Sequence, residues 1–393
     1  MSKAIDLIII LLLFIITIFT RPSILGGKYS YIVIVISFLV LVIYMLTNNI
    51  KIKINKRNKV MIILNTMFWI YIYIHSLINN SINIDWVLSL TIISIIVVFV
   101  FLVILNNKKL NKKFFRFIIF IFLTMGISYI ITLILSIFLP LESMKLFQIN
   151  IDNYSYAGNV YFPLTIVYGT MSTNGLTFIR AQSFFRESGI AQAFMIWAYF
   201  SMDKFGFQKK RYRILILLNI ISTFSTTAIV IFIVTYICSK LEVNDKISKK
   251  RIAILPIGIM LSIGLLIYTP YIGIKDKLLT HGLSINERTT MMQRGVFLLK
   301  EYPWGIGIYN KILDDYWNYN ANINLIAMSY KIGIIGVLFI LILYIIPGLY
   351  DDNKIKYYIY MIPFFATMIT SQPLVDAIII YVFLIANYDE YGG

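Results

Sequence analysis

Long apolar runs, each near the length that crosses a bilayer, follow one another along almost the whole chain and leave little room for a soluble fold. A span needs about 20 apolar residues at 1.5 Å each to cross the hydrocarbon layer. Runs of this kind cover residues 4–20, 29–47, 60–78, 84–105 and 114–139, and then 189–202, 214–238, 252–269, 325–346, 357–370 and 374–386. Backbone groups in lipid must bond within their own segment, so each run is predicted to be helical despite its Ile and Val content. With 13% charged residues the chain cannot clothe soluble domains of its size. The expected fold class is therefore all-α, a single polytopic membrane domain over residues 1–393. The first run lacks a small-residue cleavage site, Thr20-Arg21-Pro22 following it, and reads as a retained span.

The net charge of +17 raises the question of a nucleic-acid partner. Its placement argues otherwise. Basic residues gather in short loops at 48–59, 106–116, 203–213 and 239–251, as expected for loops retained in the cytoplasm. Cys238 is the only cysteine, and His75 and His281 lie far apart in sequence. Neither a disulfide framework nor a Cys/His metal centre is expected, and no cofactor is assigned.

Placing 203–213 and 239–251 on one side requires the run between them to cross an even number of times. Its middle, Ser222-Thr223-Phe224-Ser225-Thr226-Thr227, is polar. A pair of short helices turning at the hydroxyl cluster is expected, the alternative being one long helix whose hydroxyls bond back to their own turn. The pair brings the total to about twelve spans, with both termini in the cytoplasm. Two long segments, 140–186 and 271–323, then share the outer face.

Candidate functional residues fall in those two segments. Arg180, Arg186 and Glu187 stand just before a span, where charges meet lipid headgroups; snorkelling anchorage is the plainer use of such residues. The second segment carries Asn286-Glu287-Arg288, Arg294 and Glu301-Tyr-Pro303-Trp-Gly305-Ile-Gly307. Residues 288–300 are expected to be helical and to stop before Pro303. Arg288 and Arg294 would then project about 120° apart. Gly305 and Gly307 form no dinucleotide fingerprint, and a tight turn accounts for them. Tyr154, Tyr156, Tyr161, Tyr316, Trp317 and Tyr319 supply either sugar-stacking faces or an interfacial aromatic belt.

These elements resemble, in order over residues 180–336, the signature segments of the O-antigen polymerase and O-antigen ligase superfamily. Arg180, Phe185 and Glu187 are similar to its R-x-x-G-x-F-x-E-P motif. Ser225-Thr226-Thr227 is similar to its Ser-Arg turn between two short spans. Arg288 with Pro303, Gly305 and Gly307 resembles R…P-x-G-x-G, and Asn320 to Asn324 with Lys331, Gly333 and Gly336 resembles H-N-x-x-L…E-x-G-x-x-G. Ser183 replaces a glycine, Ser188 a proline and Thr226 an arginine. Asn320 and Asn322 stand where the ligase branch carries histidine, which favours the polymerase branch.

The resemblance implies a GT-C-like glycosyltransferase in the bacterial cytoplasmic membrane. It would join oligosaccharide repeat units carried on undecaprenyl pyrophosphate, making O-antigen, capsule or exopolysaccharide. A flippase and a chain-length regulator are the implied partners. Without an evident metal site, Arg180 and Arg288 are assigned to the pyrophosphate, assisted by Arg186 or Arg294. Glu187 is the candidate base, or else orients Arg180. Asn322, Tyr316 and Trp317 are assigned to substrate binding, and His281 is the one outer histidine. The rival readings are a ligase acting on a terminal acceptor and a flippase or transporter. A transporter would carry charges at mid-membrane and show repeat symmetry.

Overall fold

In the computed structural model, four helices are long and apolar enough to cross a membrane: Lys56–Ile78, Ile84–Ile104, Lys108–Phe138 and Leu325–Leu349. The structure describes residues 3–26, 29–47, 54–81, 83–149, 158–167, 170–173, 176–243, 246–247, 256, 260, 264, 267–268, 274–308, 310, 324–351, 353–372 and 374–386. The chain is mostly helical. In order the described helices are α1 (Lys3–Phe19), α2 (Ser30–Thr47), α3 (Lys56–Ile78), α4 (Ile84–Ile104), α5 (Lys108–Phe138), α6 (Ser188–Ser201), α7 (Lys210–Ile221), α8 (Thr226–Leu241), α9 (Ile274–Glu301), α10 (Leu325–Leu349), α11 (Lys354–Thr370) and α12 (Ile378–Phe383).

Asparagines open several of them. The Asn55, Asn107, Asn324 and Asn353 side chains each accept from a backbone N–H in the first turn of α3, α5, α10 and α11, satisfying donors that a helix start otherwise leaves open. Apolar side chains project outward as well as inward. Val35, Phe38, Val42 and Leu46 on α2, and Ile63, Met67, Ile70 and Ile74 on α3, are exposed, as suits helices whose surroundings are lipid on one side and protein on the other.

The run at 214–238 does break into two helices. Helix α7 ends at Ile221 and α8 starts at Thr226, with Phe224 in the left-handed region at φ 47 and Thr223 Oγ1 donating to Ile220 O at 2.7 Å. The last run departs from expectation. Residues 374–386 are not one helix but a 3-10 turn, Leu374–Asp376, followed by the six-residue α12. Six residues span only about 9 Å. Ile378 to Ala386 are at most 3% exposed, so this segment is covered by protein; hydropathy does not distinguish that environment from lipid. Helix α6, with 14 residues, is likewise buried along most of its length.

The segment expected on the outer face, 140–186, contains strands. β1 (Lys145–Ile149), β2 (Gly158–Tyr161) and β3 (Thr165–Val167) form an antiparallel sheet, and β4 (Thr170–Thr173) pairs with β5 (Leu176–Ile179). The end of α5 holds the first sheet, Thr132 Oγ1 donating to Phe162 O at 2.7 Å and Ser128 Oγ lying 2.9 Å from Thr165 Oγ1. A further two-residue pairing joins β6 (Glu242–Val243) and β7 (Lys246–Ile247). The run at 252–269 lies almost wholly outside the described residues.

Three of the basic loops meet on one face. Lys113 and Lys109 pair with the buried Asp6 at 2.7 and 3.0 Å, joining the starts of α5 and α1. Asn58 Nδ2 donates to Leu102 O, joining the start of α3 to the end of α4. Arg57 reaches Asp351 at 3.2 Å and Leu384 O at 2.8 Å, and the Arg116 guanidinium covers Phe207. The residues just past α1 touch 184–186, and Ser81, just past α3, touches Ile308 and Asn310. Both of these stretches therefore share the face opposite the basic loops.

Candidate functional site

Arg180 follows β5 directly and meets the turn between α7 and α8. Its Nε donates to Thr223 O at 2.9 Å, and the next residue, Ala181, donates its N–H to Ser222 O at 2.9 Å. Tyr129, on α5, donates its hydroxyl to Ile179 O at 2.8 Å and braces the strand end. The hydroxyl cluster thus breaks the span and presents two backbone carbonyls, one of which holds the guanidinium by its Nε edge.

After Arg180 the chain turns at Ser183, whose φ of 53 is left-handed. This is the position at which the resembled motif has glycine, a residue without a Cβ penalty there. Phe184 and Phe185 then enter an aromatic cluster. Phe185 is fully buried, its ring 4.3 Å from that of Phe194. The loop after α1 straps across this segment: Ile24 N–H donates to Phe184 O and Arg186 N–H donates to Pro22 O. Arg186 is buried, and its Nη2 donates to Gly26 O at 2.5 Å. That guanidinium braces the loop.

Glu187 precedes α6 in extended backbone, with φ −138 and ψ 147. Gln372, past the end of α11, donates Nε2 to Glu187 Oε2 at 2.6 Å. Beside it runs a second polar chain. Gln192 Nε2 lies 3.1 Å from Ser371 Oγ and 3.2 Å from Thr227 Oγ1, and Thr227 Oγ1 lies 2.7 Å from Ser225 Oγ. Gln192 is fully buried. These contacts tie α6, α8 and the end of α11 into one network; satisfied buried networks are rigid.

The second segment forms an interlock with α10. Helix α10 is broken at Gly333, where φ is 66 and ψ 176. The 303–307 stretch fills the break: Ile306 N–H donates to Tyr330 O, Gly307 N–H to Lys331 O and Ile334 N–H to Pro303 O, at 3.0, 3.0 and 2.9 Å. Gly305 and Gly307 have φ of 86 and 88. Helix α3 supports the arrangement, Tyr71 donating to Ile332 O at 2.7 Å and His75 Nε2 lying 2.8 Å from Trp304 O. The turn Leu374–Asp376 follows Gln372 and packs on both α10 and α11.

Helix α9 does end just before Pro303 and packs on α10. Arg294 is partly exposed on it. Arg288 and His281 lie on the same helix, but their side chains are outside the described residues. Asn322, Tyr316 and Trp317, together with Tyr154, Tyr156 and Tyr319, are outside them altogether. Tyr161 is buried in a cluster with Tyr129, Met144 and Ile179, and burial pushes its phenol above the ordinary tyrosine range. It is neither a sugar platform nor a member of an interfacial belt.

Sequence reasoning passed over Gln192, Ser371, Gln372 and the 20–26 loop. Polar residues inside or at the end of an apolar run were the available signal. Among the described residues, no group of three or more His, Cys, Asp or Glu could hold a metal ion. No family model, curated protein or solved structure matches the chain.

Proposed function

We propose that this protein is a membrane glycosyltransferase that polymerises oligosaccharide repeat units carried on a polyprenyl pyrophosphate, undecaprenyl by the resemblance described above. The reaction would run at the outer face of a bacterial cytoplasmic membrane, within a GT-C-like arrangement of about twelve spans with both termini inside. The observation that carries the reading is Arg180, beside the turn between α7 and α8 and fixed through Nε on Thr223 O. A guanidinium has five N–H donors in a planar fork, suited to phosphate oxygens. Placed there, it meets a diphosphate headgroup whose isoprenoid tail stays in lipid.

Two further observations support it. Of the five positions where the resembled motifs have glycine, four, Ser183, Gly305, Gly307 and Gly333, have left-handed φ, and Gly336 is helical. The two stretches carrying the motifs also face away from the basic loops, whereas a transporter would be favoured by opposite placement.

In the proposed reaction, the bond between the sugar's anomeric carbon and the donor pyrophosphate oxygen breaks. The acceptor hydroxyl oxygen bonds to that carbon. Its proton passes to Glu187, and the departing pyrophosphate keeps the electron pair, its charge met by Arg180 and Arg288, with Arg294 assisting. Asn322, Tyr316 and Trp317 would hold sugars, while a flippase and a chain-length regulator would supply substrate and limit the product. Arg186 contributes by bracing the loop at Gly26.

The test is incubation of the purified protein with a synthetic lipid-pyrophosphate repeat unit. A ladder of products longer than two units is expected. Transfer that stops after one addition, or movement of the lipid without any new glycosidic bond, overturns the proposal.

A further inference from the structure

Gln372 lies outside residues 180–336, and no motif points to it, yet its amide meets the candidate base. The Nε2–Oε2 distance to Glu187 is 2.6 Å, and a donor to an ionised acceptor makes a bond roughly twice as strong as a neutral pair. Gln372 is itself held. Its backbone N–H donates to Thr367 O at 2.9 Å, and Ser371 beside it is joined through Gln192 to Thr227 on α8.

The side chain reaches Glu187 by passing over Gly189. A Cβ at that position would lie 2.9 Å from Gln372 Nε2 and 3.3 Å from its Cγ. Any side chain there would displace the amide. The first turn of α6 is thus cut away at the place the glutamine needs.

We infer that Gln372 is a positioning residue for the proposed transfer: it fixes one carboxylate oxygen of Glu187 so that the other faces the acceptor hydroxyl, and Gly189 is the clearance that admits it. The inference rests on the functional reading above and deepens it. A carboxylate tethered through one oxygen loses the side-chain freedom that would let it swing out of proton-transfer range, and misplacement by 1 Å costs about 10²-fold in rate. Gln372 is assigned no substrate contact, so its loss should lower kcat and leave KM unchanged.

The test uses the purified full-length protein in the polymer-ladder assay. Gln372→Met keeps the chain length and removes the donor; a fall in kcat of about 10²-fold at constant KM is expected. Gly189→Ala, on a different helix, should give the same loss by pushing the amide aside. In the Gln372→Met background it should then have no further effect, because both changes act on one bond. Gln372→Met with wild-type kcat, or single losses that multiply in the double variant, overturns the inference. Should Gly189→Ala fail to fold, the kcat and KM of Gln372→Met decide it. Wild-type protein that makes no polymer overturns the functional reading and this inference together, whereas polymer made equally well by Gln372→Met overturns the inference alone.

Discussion

Gly305 and Gly333 meet backbone to backbone across the break in α10: a Cβ on Gly305 would lie 2.5 Å from Gly333 N, and one on Gly333 would lie 2.8 Å from Gly305 N. Both residues are also left-handed, at φ 86 and 66. The obstacle in each case is main chain, which cannot swing aside as a side chain can. Gly305→Ala and Gly333→Ala are each expected to cost more than the ~1–2 kcal/mol of the left-handed conformation alone. The measurement is Tm in detergent, with Gly189→Ala as the comparison. There the obstacle is the mobile end of Gln372, so the fall in Tm should be smaller. An unchanged Tm for Gly305→Ala would contradict the interlock.

Arg180→Ala should abolish long polymer, with a rate loss of about 10²–10³ typical of removing one preorganised charge partner, while membrane insertion stays normal. Arg180→Lys should fail as well. The guanidinium uses Nε on Thr223 O and has other N–H groups to present to phosphate, whereas an ammonium has a single head and cannot occupy both places. Product ladders from the purified variants check this, and full activity of the lysine variant would reduce Arg180 to a simple attracting charge.

Much of the fold was legible because lipid imposes it. The starts of α3, α5, α10 and α11 coincide with asparagines next to apolar runs, and the break at Ser222 to Ser225 shows as hydroxyls in an apolar stretch. Residues 374–386 misled because a run covered by protein has the same hydropathy as one facing lipid. The strands between Lys145 and Ile179 lie in a stretch where no single period dominates the sequence. In the site, Arg180 and Glu187 announced themselves as charges beside a span. Their partners did not: Thr223 contributes a backbone carbonyl, which any residue possesses, and Gln372 comes from another helix end 185 positions away. The same holds for Arg186, whose acceptor is the carbonyl of Gly26.

On the basic face, Arg57 and Asp351 form a pair whose side chains are 11% and 1% exposed. Arg57 also donates to Leu384 O and lies over the Tyr357 ring, so one side chain binds the start of α3 to both C-terminal helices. Removing one member of such a pair leaves a buried charge and costs about 3–5 kcal/mol. Asp351→Ala should therefore lower Tm and the yield of folded protein strongly. Asp203→Ala breaks the pair with Arg213, in which both side chains are more than 40% exposed, and should cost less than about 1 kcal/mol. Equal effects of the two substitutions would show that burial does not govern the Arg57 pair.

Ser183 offers a change that should improve the protein. Its φ of 53 lies in the region that costs a residue with a Cβ about 1–2 kcal/mol. Its hydroxyl is buried without a hydrogen-bond partner, a further penalty of about 1–3 kcal/mol. Ser183→Gly removes both. Against this stands the greater freedom of glycine in the unfolded chain, worth roughly 0.5–1 kcal/mol. The balance predicts a net gain of at least 1 kcal/mol, read as a higher Tm in detergent, with polymer length unchanged because the hydroxyl is given no part in the transfer. Ser183→Ala separates the two contributions: it removes the unpartnered hydroxyl but keeps the strained Cβ, so its Tm should fall between those of serine and glycine. A lower Tm for Ser183→Gly than for the wild type would mean that the hydroxyl has a stabilising role, and the turn before Phe184 would then need a different account.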